Sequence, residues 1–180
     1  MKNGNAMKFY QDICIAYKAA LRKTIQELLL KDEQFYYVVL VVDENGLPPV
    51  FSAWSKESYA RECENLNAEQ AAWMKWSYSE SPYFDFGKAN FLDADGIWLS
   101  KGSIDDFKCE EWVKELERRV NSLEECFASL NKEGLISDDE SRKKTMVNVE
   151  TTPPSPKDTE RARRLNPPES IKEWLDEAAE

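Results

Sequence analysis

The sequence predicts an α+β fold: a small antiparallel sheet of about three to five strands packed against long amphipathic helices, with a C-terminal helix pair. Three observations predict it. Residues 7–31 and 105–133 carry apolar side chains at helical spacing, F-Y-Y-V-V-L-V-V at 35–42 is a continuous β-branched and aromatic run, and R-A-R-R-L-N-P-P at 161–168 interrupts two short helical segments.

Along the first helix the stripe is Phe9, Ile13, Tyr17, Ala20, Ile25, Leu28 and Leu29, and Asp32-Glu33 ends it. The run 35–42 is apolar on both faces, which marks a central strand. Asp43-Glu44-Asn45-Gly46 is a turn signalled by Asn-Gly, and P-V-F-S-A-W-S at 49–55 returns as the second strand of a hairpin. Ser55 caps a helix from Lys56 to about Leu66. Residues 67–90 are the least regular; Trp76 and Tyr78 alternate as a short strand would. From Asn90 the chain is helical at first, and Asp93-Ala94-Asp95-Gly96 then reads as a turn.

The long helix from Ile104 or Asp105 ends near Gly134, with Phe107, Trp112, Val113, Leu116, Val120, Leu123, Phe127 and Leu130 as its stripe. Lys143 to Thr151 is a further strand, followed by a connector stiffened by Pro153, Pro154 and Pro156. Ser155 caps a short helix with Pro156 in its first position, and Glu160 and Arg164 lie four apart on it. Asn166 is expected to cap the last helix, with Pro167 at its first position and Glu169 completing an N-x-x-E box. One domain spans 1–180, with 151–180 docking on the body.

The 180 residues carry a net charge of −10, and the second half is the more acidic, with 14 basic residues against 22 acidic ones. That field repels nucleic acid and anionic membrane; it would attract a basic partner, and it equally serves solubility, which is the favoured reading. No signal peptide or membrane-length apolar run is visible, so a cytoplasmic place is expected. The chain has no histidine. Triads built on imidazole are therefore excluded, and no cofactor motif or metal spacing replaces them. Cys14, Cys63, Cys109 and Cys126 form no C-x-x-C pair; Cys14, Cys109 and Cys126 read as core thiols and Cys63 as the exposed one.

W-M-K-W-S-Y at 73–78 and R-A-R-R-L-N-P-P-E at 161–169 stand behind the long first helix and the valine-rich hairpin, and together they carry a resemblance to a known group. The chain resembles a bacterial family of small cytosolic proteins, the domain of unknown function numbered 4303. The resemblance implies a fold and assigns no reaction or cofactor. Proteins of this kind are similar to immunity proteins found beside bacterial toxin genes, which is an analogy.

The candidate contact residues are Arg161, Arg164, Asn166, Trp76 and Tyr78. Arg161, Arg163 and Arg164 suit an anion, and they equally suit a tie to the acidic helix 105–133, which is the favoured reading. The aromatics of 73–86 read as core before recognition surface. Asp93-Ala94-Asp95-Gly96 fails as a calcium loop, because its glycine is misplaced and Ile104 stands where a glutamate is needed. The function expected is non-enzymatic protein binding, an immunity-type inhibitor of a toxin being the concrete version. The alternatives are a small-molecule or enzymatic pocket lined by 73–86 and the C-terminal arginines, and a structural subunit of a larger assembly.

Overall fold

Strand β1 (Phe35–Asp43) is the middle of a three-stranded sheet in the order β2-β1-β3. A computed structural model describes residues 2–136 and 139–179. Strand β2 (Val50–Ser55) pairs antiparallel with β1 across the Asn-Gly turn, and β3 (Met146–Thr152) pairs parallel on the other side, Val38 opposite Val147 and Val42 opposite Thr151. The α+β class stands; the sheet is mixed rather than wholly antiparallel. A tight hairpin forces antiparallel pairing, whereas β3 arrives only after the long helices have carried the chain back to the other end.

Both faces of β1 are covered, which is why it lacks a polar alternation. On one face Val38, Leu40 and Val42, with Phe51, Ala53, Val147 and Val149, pack under three helices, α1 (Lys2–Leu29), α4 (Lys88–Leu99) and α5 (Cys109–Lys132). On the other, Tyr37, Val39, Val41, Trp54 and Met146 meet Ala162 of α7 (Pro156–Leu165), Ile171 and Trp174 of α8 (Pro168–Glu177), and the half-buried Trp76 and Tyr78. The short helices α2 (Lys56–Glu62), α3 (Ala68–Met74) and α6 (Asp139–Arg142) fill the connections.

Several expected boundaries move for identifiable reasons. Helix α2 stops at Glu62 rather than Leu66, and its start is a full capping box in which Ser55 and Ser58 bond each other's backbone. No strand forms at 76–78. There the Trp54 indole donates to the Ser77 carbonyl at 2.8 Å and the Ser52 hydroxyl to the Tyr78 carbonyl at 2.7 Å, so side chains of β2 take backbone acceptors that a strand would need. Helix α5 starts at Cys109, after a 3-10 turn at Ile104–Asp106, and Gly134 ends it at φ 68° as expected. Val113, expected in the apolar stripe, is exposed instead. The hairpin turn is pinned to the helical layer: the Trp98 indole donates to the Gly46 carbonyl, and Trp112 to that of Glu44.

Asp93 to Gly96 is not a turn. Helix α4 runs through it, because Phe91, Ala94 and Trp98 are buried on one face and the Tyr17 hydroxyl donates to Asp95 at 2.7 Å. Gly96 is helical, and a methyl group there would meet open space. Gly96→Ala is therefore expected to stabilise the protein by about 0.5–1 kcal/mol, read as a rise in the thermal midpoint. A fall would restore the turn.

Candidate functional site

Two of the five residues singled out in the sequence, Asn166 and Arg161, meet at the free edge of β3. Asn166 does not cap the last helix, which begins at Pro168. Its buried amide instead treats β3 as a neighbouring strand would. Oδ1 accepts from the Val147 N–H at 2.8 Å, and Nδ2 donates to the Val147 carbonyl at 2.7 Å and to the Ala162 carbonyl at 2.8 Å. One register on, Arg161 Nε donates to the Val149 carbonyl at 2.8 Å and the guanidinium pairs with Asp158. Arg142 adds a third clamp, donating to the Thr145 and Leu165 carbonyls and to Asn166 Oδ1. Burial holds its pKa down at about 10. Arg164 lies outside this knot. It is exposed and grips Glu124 of α5 through two bonds of 2.6 and 3.0 Å, with Glu160 only at 3.9 Å. Arg164 thus ties α7 to the acidic α5, whereas Arg161 ties α7 to β3 and to Asp158 of its own helix.

The other two residues, Trp76 and Tyr78, line a cleft of ≈ 260 Å³ beside that knot. Trp73 and Trp76 form one wall, Trp174 of α8 another, and Glu150, Thr151 and Asp158 the polar side. Lys75 draws the aromatic segment against α8 through ion pairs to Glu173 at 2.6 Å and Glu177 at 2.8 Å, while the Trp76 indole donates to Glu177 at 2.8 Å. The belt 73–86 is divided: Tyr83 is core, Trp76 and Tyr78 are half-buried, and Trp73 is 67% exposed.

Glu150 is the chemically unusual group here. The Tyr37 hydroxyl donates to its Oε2 at 2.6 Å, and Asn148 Nδ2 approaches Oε1 only at 3.5 Å. Burial pushes its pKa up to about 7, and the neighbouring Asp158 charge adds to the rise against the opposing pull of Tyr37 and Arg161. The Tyr37 phenol is raised well above its ordinary value by burial and by Glu150, so it serves as a neutral donor. Asp158 is occupied: it accepts from Thr151, from the Ser155 N–H and from Arg161. Among the described residues no hydrogen-bond partner reaches the buried Asn148 Oδ1.

Sequence reading missed Glu150 and Trp174. The signal for the first was M-V-N-V-E, whose alternation sends Asn148 and Glu150 to the same face as the buried Met146. Trp174, spaced with Ile171 and Leu175 along the last helix, carries only the signal of an apolar helix face. The thiols were partly misplaced: Cys126 is buried, but Cys109 at the start of α5 is the exposed one and Cys63 is half-covered. Among the described residues no three histidine, cysteine or acidic side chains stand close enough to hold a metal ion, and no helix is long and apolar enough to cross a membrane.

The sequence matches the family described as domain of unknown function DUF4303 over residues 17–167, so the chain belongs to that family. No curated protein and no solved structure matches the chain significantly.

Two outcomes test this geometry. Asn166→Ala strips partners from three buried backbone groups and should cost about 2–4 kcal/mol, whereas Arg164→Ala removes an exposed pair and should cost less than about 1 kcal/mol; urea melts rank the two. For Glu150, the raised pKa means that the folded state holds a proton that the unfolded state releases. Its favourable contribution is complete below the ordinary carboxylate range and is lost as pH rises through about 7. Glu150→Gln should therefore melt higher than wild type at pH 8, by roughly 2–4 °C for each kcal/mol regained, with the gap closing by pH 5.

Proposed function

We propose that this DUF4303 protein is a non-enzymatic binding module for a basic protein in the bacterial cytosol, an immunity-type inhibitor of a toxin being its most concrete form. The observation that carries this reading is the exposed first half of α5 and the turn before it. Asp105, Asp106, Glu110, Glu111 and Glu117 are exposed on the same stretch as the apolar Ile104 and Val113, with Glu117 paired to Lys157 at 2.7 Å. Ile104, Val113 and Leu116 line a groove of ≈ 390 Å³ against the hairpin residues Glu44 and Asn45. An apolar centre with a charged rim is the common anatomy of a protein interface, and the acidic rim selects a basic partner and steers its approach. The chain's net charge of −10 extends that field.

A second reading is a small-molecule pocket, supported by the aromatic cleft around Glu150. The C-terminal arginines do not serve it as ligand contacts, since Arg161 is engaged by Asp158 and Arg164 by Glu124. The third, a subunit of a larger assembly, has less support: the large exposed apolar residues are spread over α1, α3, α4 and α5.

Pull-down from the native host supplies the partner to be measured. Its affinity should fall at least tenfold between low and moderate salt, and a Glu110→Lys/Glu117→Lys double variant should lose most of the remaining binding while melting normally. A complex indifferent to both salt and the charge reversal sinks the proposal.

A further inference from the structure

We propose that the cleft between Trp73, Trp76, Trp174 and Glu150 is a site for one primary alkylammonium group at the end of a short unbranched chain. This assignment rests on the pocket reading above and gives it a ligand class.

The shape comes first. A volume of ≈ 260 Å³ lies below the range of about 300–1,000 Å³ usual for drug-sized ligands. It suits a chain of a few methylenes with one polar end. Indole walls supply the apolar contact for such a chain and, through their electron-rich faces, an attraction for a cation. Trp73 brings a face that is 67% exposed, although the sheet nearby buries Trp54 completely. The same recognition is already made one residue away: Lys75 Nζ sits 5.3 Å from the Trp76 ring centroid with Glu173 and Glu177 as its counter-ions.

The charge points the same way. The polar side of the cleft carries two carboxylates, Glu150 and Asp158. Asp158 is neutralised by Arg161, which also serves the Val149 carbonyl. Glu150 has one oxygen tied to Tyr37 and the other held only by the long contact from Asn148. Among the described residues no cation forms an ion pair with it, and an arriving ammonium would provide a counter-ion with three donors. An anion would face both carboxylates at once.

The groups facing Glu150 are Tyr37 from β1, Asn148 on its own strand, and Asp158 and Arg161 from α7. Asp158 is ion-paired with Arg161, while burial keeps Tyr37 neutral and brings the pKa of Glu150 to about 7. The cation favours its ionised form, so binding releases a proton. Affinity should consequently be about tenfold weaker at pH 6 than at pH 8, while the alkylammonium itself stays protonated throughout.

Titration calorimetry on the full chain tests this with n-butylammonium, n-butanol and butyrate as probes, and with Nα-acetyl-lysine amide beside Nα-acetyl-norleucine amide. At pH 8 butylammonium should bind at least tenfold tighter than butanol or butyrate and weaken as stated at pH 6. Glu150→Gln should abolish its advantage over butanol. Trp73→Ala, a change at an exposed position that leaves the core intact, should weaken it several-fold. Equal binding of the lysine amide would place the source in a protein side chain; exclusion of the amide would place it in a free amine. Butanol or butyrate binding as well as the ammonium would keep the pocket and overturn the cation. An ammonium that binds equally to Glu150→Gln would also overturn it, and no binding by any probe would end both this assignment and the pocket reading.

Discussion

The free edge of β3 is the constraint on which the remainder of this protein depends. A three-stranded sheet with one parallel neighbour is small, and an open edge strand leaves a row of unpaired amides and carbonyls. Here side chains stand in for a fourth strand. Asn166 answers both backbone groups of Val147, and Arg161 answers the carbonyl of Val149. Because both residues belong to α7 or its end, covering the edge also fixes where that helix lies. Its position sets the course of the following corner and of α8, and α8 in turn supplies Trp174 to the aromatic cleft and Glu173 and Glu177 to hold Lys75 beside it. An unusual basic phrase in an acidic chain thus exists to finish a sheet, and the cleft is a by-product of how that is done.

The opposite layer meets a comparable demand with a buried cation. Arg119 of α5 is fully buried, bonded to Glu115 at 2.9 Å and to the Trp98 and Gly102 carbonyls at 3.2 and 3.0 Å. The rings of Phe9, Trp98 and Trp112 surround its guanidinium at 5.3–5.5 Å. Glu115 also takes Lys101 and the Tyr10 hydroxyl, so one carboxylate links α1, the end of α4 and α5. A buried charge is tolerated only when its donors and its charge are both answered, and here they are. Arg119 and Trp98 therefore hold the helices to each other and, through the Trp98–Gly46 bond, to the hairpin turn.

What was legible in the sequence was local. The double-sided apolar run gave β1, Asn-Gly gave the hairpin, and Ser55, Ser155 and Gly134 gave helix ends, because each of these depends on a few adjacent residues. The misses were tertiary. Nothing in Asp93-Ala94-Asp95-Gly96 reveals that Tyr17 waits to satisfy Asp95, so turn-forming residues outvoted the spacing of Phe91, Ala94 and Trp98. Asn166 looked like a cap because asparagine before proline usually is one; its true partner, Val147, is nineteen residues upstream. At the site, Trp76 and Tyr78 stood out as aromatics in an irregular stretch. Glu150 did not, since one glutamate among 34 acidic residues is recognisable only by what buries it.

The parallel pairing of β1 with β3 has a temporal side. Strand β1 ends at Asp43, and its neighbour begins only at Met146. At ribosomal speeds of roughly 5–20 residues per second, that separation corresponds to a delay of roughly 5–20 s during which one flank of a valine-rich ribbon has no mate. The emerging polypeptide passes through a stage in which it is two strands and a growing set of helices with a sticky seam. Mis-association during synthesis, rather than wear in the finished molecule, is where such an architecture is most vulnerable.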